Sequence, residues 1–246
     1  MNNINQQSQF VKESAILGLL LLIGLLGLGY FISNSILTMK AMERTVEVKG
    51  LSEREVNADI AIWPITFNMA DNDLIKLSNV IKDKNAEVVK FLKSKGFNDS
   101  EVSVSAPSIV DKLAREYDSG NNSAFRFSAS STVTVYSNQV DKVKDARTQL
   151  GELGKLGIAI GNDNGMNGMG TQYLYSKLND VKPAMIEQAT KNARQTAEKF
   201  AKDSDSKLGK IKRASQGTFS IEDRDSSTAY IKKIRVVSTV EYYLSD

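Results

Sequence analysis

Three carboxylates, Glu53, Glu55 and Asp59, stand close together in the chain. Two such groups brought side by side can share the work of general acid and general base. The plainer alternative is that they are solvated charges at the end of a strand, because charged side chains are mostly exposed. The chain contains no histidine and no cysteine. The commonest general base and metal ligand are therefore missing, as are a thiolate nucleophile and any disulfide. Asn162, Asp163 and Asn164 offer side-chain oxygens to a cation, but a calcium loop needs more ligands at set spacing and usually a distal glutamate. Gly161 and Gly165 are not followed by the Lys-Ser/Thr pair that a phosphate-binding loop requires. Lys207, Lys210, Lys212 and Arg213 form a short interrupted basic run, which reads as a solvated face or as a contact for anionic lipid. No residue is assigned a catalytic, cofactor-binding or metal-ligating role, and the chemistry open to the chain is narrow.

The elements that would position these groups read as an α+β protein behind a membrane segment. From Ala15 to Ile32 the sequence is almost wholly apolar, and no charge occurs between Glu13 and Lys40. That is long enough to cross about 30 Å of hydrocarbon as a helix. Residues 1–14 form a short tail, 15–37 the anchor, 38–44 a stalk, and 45–246 the folded domain. A cleaved secretory signal is the rival reading, although its apolar region is shorter, about 7–15 residues, and Ser33-Asn34-Ser35 imitates a cleavage site poorly. Lys12 on one side faces Lys40 and Arg44 on the other, so charge does not decide the orientation.

Within the domain, Thr45–Val48 opens a strand that Gly50 is expected to interrupt. Ala61, Trp63, Ile65, Phe67 and Met69 alternate as in a half-buried strand, with Pro64 pointing to an edge or a bulge. Leu74, Leu77, Ile81, Val88 and Leu92 recur at helical spacing, with Asp71 or Asp73 as N-cap and Gly96 as the stop. Val102, Val104 and Ala106, and then Phe125, Phe127, Ala129, Val133 and Val135, predict a hairpin whose long tip lies around Tyr117–Asn122. A helix from about Gln139 to Leu150 and a loop rich in glycine over Gly161–Gly170 follow. Next come a strand near Gln172–Leu178, a helix from Pro183 to Asp203, and strands near Lys210–Ser220 and Lys232–Leu244. The expected architecture is mixed or antiparallel sheets packed against long amphipathic helices. Both halves read as strand, helix, strand, strand, which hints at an internal duplication.

Two motifs carry a family resemblance. The first is Val48, Gly50, Glu53 and Asp59 followed by alternating apolar residues, with Ala58 where many relatives have proline. The second is the alanine stripe Ala189, Ala193, Ala197 and Ala201 leading to Leu208-Gly209-Lys210-Ile211, with Asp205 in place of a common glycine. With the terminal strand bearing Val236, Val240 and Tyr242, the chain resembles the SIMPL-domain family over roughly Thr45–Leu244. The alanines read as close helix–sheet packing, and Gly50 and Gly209 as positions needing a permissive backbone. The resemblance implies a bacterial envelope domain outside the cytoplasmic membrane, linked in some relatives with oxidative or envelope stress, and it supplies no catalytic residues. The expectation is a single-pass protein of the cytoplasmic (inner) membrane whose C-terminal domain lies outside the cytoplasm. It binds an envelope partner or forms a homo-oligomer, without cofactor or nucleic acid; the alternative is a carboxylate-dependent envelope hydrolase.

Overall fold

The computed structural model describes residues 2–41, 44–114, 124–160 and 170–245. The hairpin tip at 117–122 and the glycine-rich run 161–169, including Asn162, Asp163 and Asn164, lie outside them. The protein is α+β, and its described residues form one four-stranded and one five-stranded sheet. Every strand pairing whose register is resolved is antiparallel. The chain divides into two compact units: residues 1–52, 184–218 and 236–246, and residues 53–183 with 219–235.

Helix α1 spans Asn2–Ala41. Its stretch Leu17–Met39 has 23 residues and a mean hydropathy of 2.0, about 35 Å of helix at 1.5 Å per residue. By length and composition it can cross a membrane or act as a signal sequence.

In the second unit, β2 (Ile60–Asp71) lies between β5 (Phe127–Ser137) and the short β6 (Gln172–Leu174). Alternation buries Ala61, Trp63, Ile65 and Phe67 on one face of β2, and Phe127, Ala129, Val133 and Val135 on β5. Helix α2 (Leu74–Ser94) covers that sheet with Leu77, Ile81, Val88 and Leu92. Val143 and Ala146 of α3 (Val140–Thr148) and Leu153 of α4 (Gly151–Lys155) complete the core. Each large side chain here contributes about 1.5–3 kcal/mol by leaving water. Ser131, a polar member of the β5 row, donates its hydroxyl proton to Asn85 Oδ1 at 2.9 Å.

The ends of α2 follow from two residues. Asp73 accepts the N–H groups of Ile75 and Lys76 at 2.8 and 3.1 Å, so Asp73 rather than Asp71 is the N-cap. Gly96, at φ +87°, turns the chain out of the helix while Phe97 N–H returns to Leu92 O. Pro64 makes no bulge. Its ladder with β5 runs unbroken from Ala61↔Ser137 to Asp71↔Phe127, and β6 pairs only with Ile60–Ile62 on the other side. Proline thus sits where β2 lacks its second neighbour in the ladder.

In the first unit, α5 (Leu178–Asp203) lays its alanine stripe on strands β1 (Thr45–Asn57) and β9 (Ile231–Ser245). Ala193 and Ala197 pack with Val48, Val240 and Tyr242. Residues 178–183 of α5, with Pro183 inside the helix, belong to the second unit. The helix therefore starts before the expected Pro183. Proline lacks the N–H that would bond four residues back, but its fixed φ suits a helix, so the first turns form around it. Gly50 does not interrupt β1; the strand runs on to Asn57, with Val48, Gly50 and Ser52 facing inward.

The duplication appears in the sheets in a different form from the one expected. In one sheet the central β5 is flanked by β2 and by a broken strand, β3 (Val102–Val104) then β4 (Ser108–Asp111). In the other the central β9 is flanked by β1 and by β7 (Lys207–Gln216) then β8 (Ser220–Asp223). The breaks match residue for residue. Residues 105–107 face the two positions between Val133 and Ser130, and 217–219 the two between Ser238 and Arg235. In each, the first residue of the break donates to the centre strand: Ser105 to Thr132 O, Gly217 to Val237 O. The opening strand of the second copy is therefore β1, and the expected strand near Gln172–Leu178 shrinks to β6 beside β2.

Candidate functional site

The three carboxylates do not come together as a catalytic group. Glu53 pairs with Lys233 at 3.0 Å and lies 3.8 Å from Arg235. Glu55 lies 3.6 Å from Arg224. Asp59, in the turn between β1 and β2, accepts both the N–H and the hydroxyl of Ser176 at 2.8 Å. Each is taken up by its own partner, as expected of groups that hold strands and turns. Among the described residues no three Asp or Glu side chains gather where they could hold a metal ion.

The basic run falls on one element. Strand β7 carries Lys207, Lys210, Lys212 and Arg213, and all of its residues except Leu208 are exposed. Among the described residues it pairs only with β9, so its outer side is a free sheet edge. Its register slips twice, between Leu208 and Ile211 and between Ile211 and Arg213. Gly209 sits inside the first slip, where an added Cβ would meet Tyr243 O at 2.9 Å. Its φ is outside the left-handed range, so close approach of the neighbouring strand explains this glycine.

A groove of ≈ 910 Å³ runs between β7 and α5. Its apolar floor is Leu208, Ile211 and Tyr242; Lys191, Arg194 and Lys210 bring positive charge, and Glu187 and Glu198 negative. Arg194 is bridged to Glu198 at 2.9 Å. On the far side of β7, Lys212 donates to Glu241 Oε1 at 3.0 Å, and the Thr45 hydroxyl donates to the same oxygen at 2.8 Å. The Lys212 bond first, and then that of Thr45, hold the Glu241 carboxyl below the usual range. The edge thus has main-chain groups to offer a further strand, an apolar groove beside it, and a surplus of positive charge.

The four cations are legible in the sequence, and an exposed strand edge is expected of such a fold, but which strand provides it is not. The signal was present in residues 207–216, where only Leu208, Ile211 and Ala214 are apolar and no period of two holds. A mostly polar strand without alternation has no face that is fully covered.

The family whose model matches the chain is described as SIMPL, protein of unknown function (DUF541), and the match spans residues 46–241. The comparison with curated proteins finds no match.

Proposed function

From the premise that the chain belongs to the SIMPL family, we propose that it is a single-pass envelope protein acting as a binding module. In this reading residues 15–37 hold it in the cytoplasmic membrane, and domain 45–246 lies outside the cytoplasm. The stress setting suggested by the resemblance belongs to the same proposal. What carries the reading is the open edge of β7, with its groove against α5. An extended peptide adds to such an edge through main-chain hydrogen bonds, and side-chain pockets beside the edge supply specificity. Lys207, Lys210, Lys212 and Arg213 select an acidic segment. They also disfavour self-pairing of two β7 edges, where cation would face cation. The partner is therefore an acidic, extended segment of another envelope protein. A hydrolase reading loses its support because Glu53, Glu55 and Asp59 each hold a separate structural partner.

Photo-crosslinking tests this. With p-benzoylphenylalanine at position 211, cells should yield one discrete adduct whose partner peptide is acidic, and the adduct should fall at least fivefold when Lys210 and Lys212 are changed to Glu. The same probe at the exposed Ile75 of α2 should give none. Equal adducts from both positions, or none from 211, would reject the edge as a binding site.

A further inference from the structure

Helix α1 reaches the folded domain through a very short connection. It ends at Ala41, and β1 begins at Thr45. Even fully extended, the chain lets Arg44 stand at most about 11 Å from the helix end. The apolar stretch itself stops at Met39. With α1 across a bilayer, Arg44 is therefore held in or just above the headgroup layer, which is about 5–8 Å deep on each side.

Hydrogen bonds identify the part of the domain that Arg44 brings there. Arg44 Nη2 donates to Ser206 Oγ at 3.2 Å, and Arg44 O accepts the N–H of Leu244 at 2.8 Å. The turn from α5 into β7 and the last residues of β9 are thus fastened to the end of the stalk, and all of these residues belong to one compact unit. Ser204 N–H returns to Phe200 O at 3.1 Å, which sets Phe200 one helical turn, about 5.4 Å, from that fastened turn.

Phe200 is 57% exposed, and Lys199 and Lys202 beside it are exposed as well. Asn192, Thr196 and Phe200 follow one another at four-residue spacing along one flank of α5. That flank borders β1, the strand into which the anchor leads, because Asn192 Nδ2 donates to Leu51 O at 2.8 Å. At this end Arg44, Lys199, Lys202 and Lys207 outnumber Asp203 and Asp205, and Glu198 is bridged to Arg194. A phenyl ring gains nothing in water. At a bilayer surface it is buried among acyl chains, while lysines on their long stems reach the phosphates.

We propose that this end of the domain is a lipid-contact surface. The Phe200 ring enters the interfacial layer of the bilayer that α1 spans, and Lys199 and Lys202 meet anionic phospholipid headgroups. The inference rests on the reading of α1 as a membrane anchor and holds for either side of that membrane.

The test uses the full chain in vesicles of brominated phosphatidylcholine with one third phosphatidylglycerol. Phe200→Trp reports the position, and the native Trp63, 1% exposed within the other unit, gives a background measured in the wild type. Bromolipid should quench the added emission at least threefold more than that of Ala184→Trp, an exposed position roughly 24 Å away along α5. Adding Lys199→Gln and Lys202→Gln to Phe200→Trp should halve the quenching, as should replacing phosphatidylglycerol by phosphatidylcholine. Urea unfolding of each variant shows whether the domain is intact. In a chain that resists alkaline extraction, equal quenching at the two positions, or quenching that survives either change undiminished, would overturn the lipid contact and leave the anchor standing. Release of the wild-type chain by alkaline carbonate would reject the anchor, and the lipid contact with it.

Discussion

At the scale of single residues, three positions carry clear predictions. A Cβ on Gly50 would stand 1.9 Å from Ala189 O and 2.5 Å from Ala193 N. Both are backbone atoms of α5, so neither can swing aside, and Gly50→Ala must push the helix off the sheet. We predict a loss of at least about 2 kcal/mol in urea unfolding of the detergent-solubilised chain. By contrast, Gly151→Ala, a helical position with nothing within 4 Å, should gain about 0.5–1 kcal/mol. Asp205 is strained in its backbone. At φ 51° it is the only non-glycine residue among those described with a positive φ, and Ser206 N–H closes the end of α5 onto Ala201 O. Asp205→Gly should therefore stabilise by about 0.5–1 kcal/mol, the left-handed penalty less the chain entropy that glycine adds. The sequence marked both sites, since Gly50 belongs to a motif and Asp205 replaces a common glycine. It misjudged the reason at Gly50, which has no left-handed φ and is needed for the absence of its side chain. That reason lives in Ala189 and Ala193, far along the chain, and no local pattern contains it.

At the scale of elements, legibility followed the caps. Helix α2 was readable at both ends because Asp73 and Gly96 act locally, and Asp73→Ala should cost about 1 kcal/mol of stability in the same unfolding assay. The start of α5 was misplaced because a proline near a helix start imitates its first position. Strand β7 was located, but its lack of alternation hid the open edge and its slips. The loop joining β8 to β9 carries a pH dependence of definite sign. The Thr228 hydroxyl first, and then Arg224, lower the Asp225 carboxyl from its ordinary 3.8 to about 2. A depressed carboxylate contributes stability that is fully present above its unfolded value and is lost as pH falls through the folded one. Between pH 4 and 2, Asp225→Asn should therefore show a shallower fall in stability than the wild type, seen in unfolding midpoints measured across that range. Equal slopes would mean that Asp225 does not hold the loop.

At the scale of the whole molecule, the sequence disclosed the α+β class, the apolar segment and the hint of duplication. The hint was tied to two consecutive halves because sequence order is all that a single chain displays. The pairing shows instead that β1 opens the copy completed by β7, β8 and β9, while the other copy, from β2 to β5, is inserted between. Such strand exchange depends on long-range hydrogen bonds and leaves no periodic trace. The candidate site was legible only as four cations, since what makes them a site is that, among the described residues, β7 pairs with β9 alone. The functional account rests on where the domain stands, and a reporter tests that most directly. An enzyme reporter active only outside the cytoplasm and a fluorescent reporter active only inside should each be fused after Asp246. The account predicts activity from the first and silence from the second. The reverse would place the domain in the cytoplasm and contradict the proposal of an envelope partner.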